Sequence, residues 1–230
     1  MRLVVAAVLT IAFASLARLL RGVSVSGSIA GAILAFLLYS TGGPGAFGAL
    51  VSVFGLTWIA TRFGYRRKQK LGTAENDQGR SASQVLANLA TAAGFSVAFA
   101  LTGRLICLLG TAAALSEAAA DTVSSELGQA RQASARLITT WKAVPAGTDG
   151  GITLIGTLAG AVAAGLVSAV CVLTAVIPAH WFWIALTAAS AGMIFDSLLG
   201  ATLERRDWLN NDGVNFLSTL FAAGLAMLLA

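Results

Sequence analysis

The sequence is poor in the side chains that do covalent and acid–base chemistry in water: it has one histidine, two cysteines and only 11% charged residues among 230. The lone His180 sits among Pro178, Trp181 and Trp183 and reads as part of an interfacial aromatic belt, which leaves no histidine for proton transfer. Cys107 and Cys171 both fall in apolar runs, where a thiol is a small buried hydrophobe, so a disulfide or thiolate metal pair is not expected. Long polar stretches are missing too, leaving no room for a separate soluble domain. A net charge of +5 would suggest nucleic acid in a soluble protein. Here membrane topology accounts for the basic residues, and no nucleic-acid partner is expected.

What the chain has is apolar length, with 57% of its residues hydrophobic. Eight stretches read as helices: 3–18, 27–40, 45–61, 83–101, 104–122, 151–177, 181–200 and 213–230. Most approach the roughly 20 residues that span a bilayer; the second is short and the sixth is long enough to tilt. Lipid offers the backbone no hydrogen-bond partners, so the expected fold class is all-α. The architecture would be a polytopic membrane helix bundle of about eight transmembrane helices, with residues 1–230 as a single integral membrane domain. The first segment, Leu3 to Leu20, lacks a charged start and a small-residue cleavage site and reads as a retained helix.

Alternate loops then share a side. One set carries Arg18, Arg21, Arg62, Arg66, Arg67, Lys68, Lys70, Arg80, Arg131, Arg136, Lys142, Arg205 and Arg206, while the other carries only Arg2 and Arg104. The Lys/Arg bias makes the first set cytoplasmic and puts both termini on the non-cytoplasmic side. The main cytoplasmic loops are 62–82, 123–150 and 201–212, and the run Arg66-Arg67-Lys68 is explained by topology alone.

All ten carboxylates crowd toward that same side, and several lie inside apolar helices. Acids contribute little to orientation, and an ionisable group within a membrane segment is costly enough to imply function. Glu117, Asp121 and Ser125 recur at i, i+4 and i+8 and share one helical face. Two carboxylates one turn apart repel unless a cation or proton lies between them, and oxygen donors of this kind suit Mg²⁺; the alternatives are a neighbouring arginine or a shared proton.

Asp196 is deep enough in the seventh helix to exclude a lipid-facing position, and Glu204 follows two turns later on its face. Pro145-Ala-Gly-Thr-Asp-Gly-Gly151 opens the sixth helix and Asn210-Asn-Asp-Gly-Val-Asn215 the eighth, placing Gly147, Thr148, Gly150, Gly151, Asn211 and Asn215 where N–H groups meet anions. Asp149 could simply cap its helix, and the Gly-Lys-Ser/Thr ending of a Walker A loop is missing. Arg80 suits bidentate phosphate binding. Asn88 lies one to two turns inside the fourth helix, where helix packing is the plainer role. Gly156 and Gly160 form a small-xxx-small packing step.

Taken in order, these strings resemble an integral membrane family that includes plant phytyl-phosphate kinase and animal transmembrane protein 19. The pieces are Gln84-Val-Leu-Ala-Asn88, Ala120-Asp-Thr122 with Ser125-Glu-Leu-Gly128, Leu137-Ile-Thr139, Gly147-Thr-Asp-Gly-Gly151, Gly156-Thr-Leu-Ala-Gly160, Asp196-Ser-Leu-Leu-Gly-Ala-Thr-Leu203 and Leu209-Asn-Asn-Asp212 with Val214-Asn215. Asp149 departs from the pattern, which has a small hydroxyl residue in many relatives.

The resemblance implies a kinase that converts a prenyl or phytyl monophosphate to its diphosphate with a nucleoside triphosphate, CTP being the expected donor, and Mg²⁺. Its implied catalytic set is Asp121, Glu126, Lys142 and Asp196. The metal would be held by Glu117, Asp121, Glu126, Asp196 and Asp212, and phosphates by Arg80, Asn88, Arg136 and the glycines and amides above. Without a plastid extension the chain looks bacterial, which implies the inner (cytoplasmic) membrane with the active site facing the cytoplasm.

The chemistry agrees with the inventory. A phosphate acceptor is already ionised, so positioning and charge neutralisation carry the reaction and no strong base is needed. The competing reading is a secondary transporter using Asp121 and Asp196 as proton or cation sites, which would favour a midplane site reached from both faces. The dense Asp-Gly-Ala-Arg motif of a CDP-alcohol phosphotransferase is missing, and a non-catalytic scaffold leaves the buried acids unexplained.

Overall fold

The structure is a computed structural model that describes residues 2–131 and 134–230. The expected all-α polytopic bundle is what forms. Its long helices are α1 (Arg2–Leu19), α2 (Val25–Leu37), α3 (Gly43–Arg62), α5 (Ala82–Thr102), α6 (Leu105–Arg131), α7 (Leu154–Leu173), α8 (Phe182–Thr202) and α9 (Asn211–Leu229), with a short α4 (Tyr65–Leu71) between α3 and α5. Six helical stretches are long and apolar enough to cross a membrane, counting Val25–Arg62 as one.

That stretch of 38 residues would reach about 57 Å if straight, nearly twice a bilayer core. A π-helical turn at Leu38–Gly42 and Gly43, whose φ of 85° and ψ of −178° are open essentially to glycine, fold it back. The end of α3 therefore returns to the α1–α2 connection, where the Leu20 carbonyl accepts hydrogen bonds from Trp58 Nε1 at 3.1 Å and Arg62 Nη2 at 2.9 Å.

Side-chain caps set the helix starts at the opposite end from the termini. Ser24 caps α2, Ser81 forms a capping box with Gln84 on α5, Thr153 caps α7 and Asn210 caps α9. Each satisfies N–H groups that would otherwise be orphaned.

α6 is the central element, packed against α3, α5, α7, α8 and α9. Its alanines, Ala112–Ala114 and Ala118–Ala120, are buried and let neighbouring helices approach closely. Gly156 and Gly160 serve the same purpose on α7: a methyl at Gly156 would stand 2.5 Å from the Ser124 carbonyl oxygen, and one at Gly160 would stand 2.7 Å from that of Ala120. Polar pairs join other helices, Ser116 to Ser168 at 3.0 Å and Thr91 to Thr219 at 3.0 Å.

The sequence expectation departs from the structure at one end. The helix expected to stop at 122 continues to Arg131, because hydropathy marks where lipid ends and not where the helix does. The expected loop 123–150 then forms a small antiparallel sheet, β1 (Ser134–Leu137), β2 (Ala143–Pro145) and β3 (Gly151–Ile152), in the order β2-β1-β3. Ala135 pairs with Val144, and Arg136 with Ile152. The helix expected from 151 begins at Leu154, after β3.

Between α4 and α5 the chain is pinned by Tyr65, whose hydroxyl donates to the Glu75 carbonyl at 3.1 Å and to Asp77 Oδ1. The hydrogen bond to Asp77 raises the phenol above its ordinary value near 10. Only the neutral phenol donates, so this tie is intact below pH 10 and is lost as pH rises through the raised value. In a Tyr39→Phe background, which leaves one of the two tyrosines, phenolate absorbance should appear above pH 10. Asp77→Asn should bring it down toward about 10; identical curves would show that Asp77 does not hold the hydroxyl.

Candidate active site

Where the N-termini of α5, α7 and α9 meet the C-terminal halves of α6 and α8, the described residues enclose a polar cavity of about 390 Å³. The small sheet and its turns form one wall. All the Lys and Arg residues except Arg2 and Arg104 belong to the loops and helix ends on this side.

Asp121 and Ser125 on α6, Asp196 on α8, Glu204 in the short 3₁₀ turn that follows α8, and Asn211 and Asn215 on α9 line it. Asp121 on α6 and Asp196 on α8 face the same chamber, where their like charges repel. Glu117 lies one turn deeper, 1% exposed, close enough to repel both. Gly192 on α8 makes room for it: a methyl there would stand 2.6 Å from Glu117 Cγ.

Four buried side-chain atoms among the described residues lack a hydrogen-bond partner: Thr73 Oγ1, Glu117 Oε1, Gln129 Oε1 and Asp196 Oδ2. Thr73, Gln129 and Asp196 line the cavity and Glu117 sits beneath it. Orphaned acceptors are costly, and their concentration at one place marks a site built for a bound group.

Arg80 is the cation of the cavity wall. Its Nη1 and Nη2 each lie 3.3 Å from Thr122 Oγ1, and its Nε is 3.8 Å from Glu75 Oε2. Asn88 Nδ2 donates to the Gln84 carbonyl at 2.9 Å, and both residues line the cavity.

Gly147, Thr148, Asp149, Gly150 and Gly151 also line the cavity, but as a turn before β3 and not as a helix start. Gly150, at φ +71°, packs against Ala201 and Gly200 of α8, where any side chain would collide. Thr148 and Gly151 spend their N–H groups inside the turn, on the Pro145 and Thr148 carbonyls. The anticipated row of free N–H donors is thus partly consumed.

Four expected site residues have other surroundings. Glu126 borders the cavity, but its Oε2 is paired with the fully buried Lys68 and its Oε1 accepts from Thr61 at 3.0 Å, so both oxygens are engaged. Lys142 and Arg136 are exposed outside the cavity lining, and Arg136 Nη1 donates to the Trp141 carbonyl at 2.9 Å. Asp212 lies in the first turn of α9, also outside the lining.

Sequence reasoning did not single out Thr73, Ser124, Gln129, Thr153 or Ser197, all of which line the cavity. Ser197 follows Asp196, but the others have no periodicity that separates them from ordinary polar residues.

Among the described residues no three acids form a self-sufficient metal cage. Mg²⁺ does not require one, since it keeps waters and shares one or two carboxylates with substrate phosphates. Asp121 and Asp196, with the orphaned Asp196 Oδ2 and Glu117 Oε1 nearby, fit that demand.

A bundle of membrane-length helices with buried acids and an arginine gathered in one polar chamber defines a polytopic integral membrane protein with an internal polar site. The chain matches the family described as integral membrane protein DUF92 over residues 8–223 and belongs to it. It is 34% identical over 206 residues to an uncharacterized membrane protein of Methanocaldococcus jannaschii, covering 88% of this chain and 84% of that one. It is 30% identical over 222 residues to the chloroplastic protein VTE6 of Arabidopsis thaliana, covering 92% of this chain and 66% of that one. An uncharacterized membrane protein of Synechocystis is 32% identical over 201 residues, at 85% and 78% coverage. No solved structure matches the chain.

Proposed function

We propose that this protein is a membrane kinase that phosphorylates a prenyl or phytyl monophosphate to the diphosphate, using a nucleoside triphosphate with CTP as the expected donor. The observation that carries the reading is the gathering of Asp121, Asp196 and Arg80 around one polar cavity, with the unpartnered oxygens Asp196 Oδ2 at its wall and Glu117 Oε1 beneath it. The family resemblance supplies the substrate class.

In the transfer, an acceptor phosphate oxygen forms a new bond to the γ-phosphorus as the bond to the β-bridging oxygen breaks. The electron pair leaves on the nucleoside diphosphate. No proton has to move, because the acceptor is already an anion. Asp121 and Asp196 would hold a Mg²⁺, which would supply neutralisation of phosphate charge. Arg80 orients the acceptor, Asn88 and Asn215 offer amides to phosphate oxygens, and the turn around Gly150 closes the side facing water. The basic loops around the cavity support a cytoplasmic opening in a bacterial inner membrane.

Purified protein should convert prenyl monophosphates to diphosphates only when nucleotide and Mg²⁺ are both present. Cation or proton flux in proteoliposomes with no transfer to any prenyl monophosphate would replace the kinase by a transporter. Because Arg136 and Lys142 lie outside the cavity, Arg136→Ala and Lys142→Ala should each keep turnover within about threefold of the parent, as expected of exposed charges away from the chemistry. A loss of a hundredfold or more would return them to the phosphate-binding set.

A further inference from the structure

Beside the polar cavity lies a second one of about 150 Å³, between α1, α2 and α3 and backed by Val85 and Leu89 of α5 and Ala118 of α6. Its walls are mainly apolar, with Phe13 and Ala17 on α1, Gly31 on α2 and Leu50 and Phe54 on α3. It exists because the two arms of the hairpin diverge: α2 packs on α1 and α5, whereas α3 packs on α6 and α7.

The two cavities share Glu75, Arg80, Gln84 and Asn88 as a common boundary. Arg80 is fixed there by its own backbone. Its carbonyl accepts from Ser24 N at 2.9 Å and its N–H donates to the Gly22 carbonyl at 3.1 Å, tying it to the α1–α2 connection. Its guanidinium meanwhile faces Thr122 and Glu75 at the polar side. An apolar chamber bounded by a guanidinium and sharing a wall with a chamber of acids and amides is complementary to one kind of molecule, an apolar tail bearing an anionic head.

We propose that the α1–α2–α3 cavity holds the head-proximal part of a single isoprenoid tail, with Arg80 binding its phosphate at the boundary; this assignment rests on the kinase reading above. The cavity is about the size of one that takes a single benzene ring, roughly 150 Å³. It therefore admits one branched chain over its first one or two isoprene units and excludes the paired acyl chains of a phospholipid. Beyond that point the tail continues into the bilayer. Selection acts on tail number and on the branching nearest the phosphate, and total chain length matters little.

Gly31 offers a direct plug. A methyl built there meets only Val85 Cγ1, at 3.9 Å, so a larger side chain enters the cavity without striking backbone. The test uses the full-length protein in phosphatidylcholine nanodiscs and a C20 prenyl monophosphate with a diazirine on its second isoprene unit. Photolabelled peptides are mapped while nucleotide-dependent diphosphate formation is followed in parallel.

Labels are expected on α1, α2 and α3 facing the cavity. C10, C15 and C20 monophosphates should compete within about threefold of one another and dioleoyl phosphatidate should not compete, since pocket fit and not area sets such differences. Gly31→Phe should cut labelling and raise KM for the prenyl monophosphate by about tenfold or more, with KM for nucleotide unchanged.

Labelling confined to α7–α9, or equal competition by phosphatidate, overturns the tail site. The labelling needs no variant, so misfolding of Gly31→Phe does not obscure the result. Diphosphate formation with labels elsewhere defeats the tail site and leaves the kinase standing. Labels in the cavity with no transfer from any nucleotide do the reverse.

Discussion

Asp121→Asn is expected to lower phosphoryl transfer by about 10²–10³-fold while leaving the fold intact, the size of loss seen when a preorganised charge-stabilising group is removed. The substitution keeps the shape of the side chain and removes one negative charge from a cluster where Asp121, Asp196 and Glu117 already repel one another. Relief of that repulsion means the melting temperature in detergent should stay level or rise. Asparagine still offers an oxygen, but it no longer draws a divalent cation or offsets phosphate charge, so the Mg²⁺ concentration for half-maximal turnover should also increase. The check is a rate measurement at saturating substrates beside a thermal melt. Turnover within tenfold of the parent with an unchanged Mg²⁺ requirement would remove Asp121 from the cation site.

Lys68→Met should have the larger effect on stability. Lys68 is fully buried, and its Nζ reaches the carbonyls of Ala60 and Thr61 at 3.2 and 2.7 Å as well as the carboxylate of Glu126. Removing the ammonium leaves Glu126 with an uncompensated charge in a site 9% exposed. Breaking a buried pair from one side costs about 3–5 kcal/mol, whereas replacing both partners with apolar groups is often neutral or stabilising. The single variant should therefore unfold at a markedly lower denaturant concentration, and Lys68→Met with Glu126→Leu should recover most of the loss. A double variant as unstable as the single one would show that Lys68 acts through its carbonyl contacts instead.

That pair also shows where the sequence was legible and where it was not. The run Arg66-Arg67-Lys68 is indistinguishable by composition from other topology-setting loops, and nothing local says that its third member turns inward. Its partner lies 58 residues away, so only the packing of α4 on α6 brings the two together. Glu126 reads as one more acid on the face of Asp121 for the same reason.

Hydrophobic period and charge bias, by contrast, are properties of each helix alone. They located the long helices and identified Asp121 and Asp196 as facing the protein interior. The residues at 134–152 failed as a helix-versus-loop question because strands of two to four residues leave almost no alternation to read. Arg136 and Lys142 were then judged by charge and proximity in sequence. The sheet carries both to its exposed side.

The central position of α6 bears on how the chain enters the membrane. α6 has the lowest mean hydropathy of the membrane-length stretches, 1.3, and is the most enclosed by protein. A carboxylate near the middle of an isolated span costs about 2.5–3.5 kcal/mol during insertion, and α6 carries two, Glu117 and Asp121. α5 precedes it with a hydropathy of 1.7 and is joined to it only by Gly103, in the left-handed region at φ +68°, and Arg104. So tight a link delivers α5 and α6 to the translocation machinery as one hairpin, with the apolar arm offsetting the acidic one. The helix that carries the buried acids is thus the one least able to enter lipid unaided, and it depends on its neighbours from the moment of synthesis.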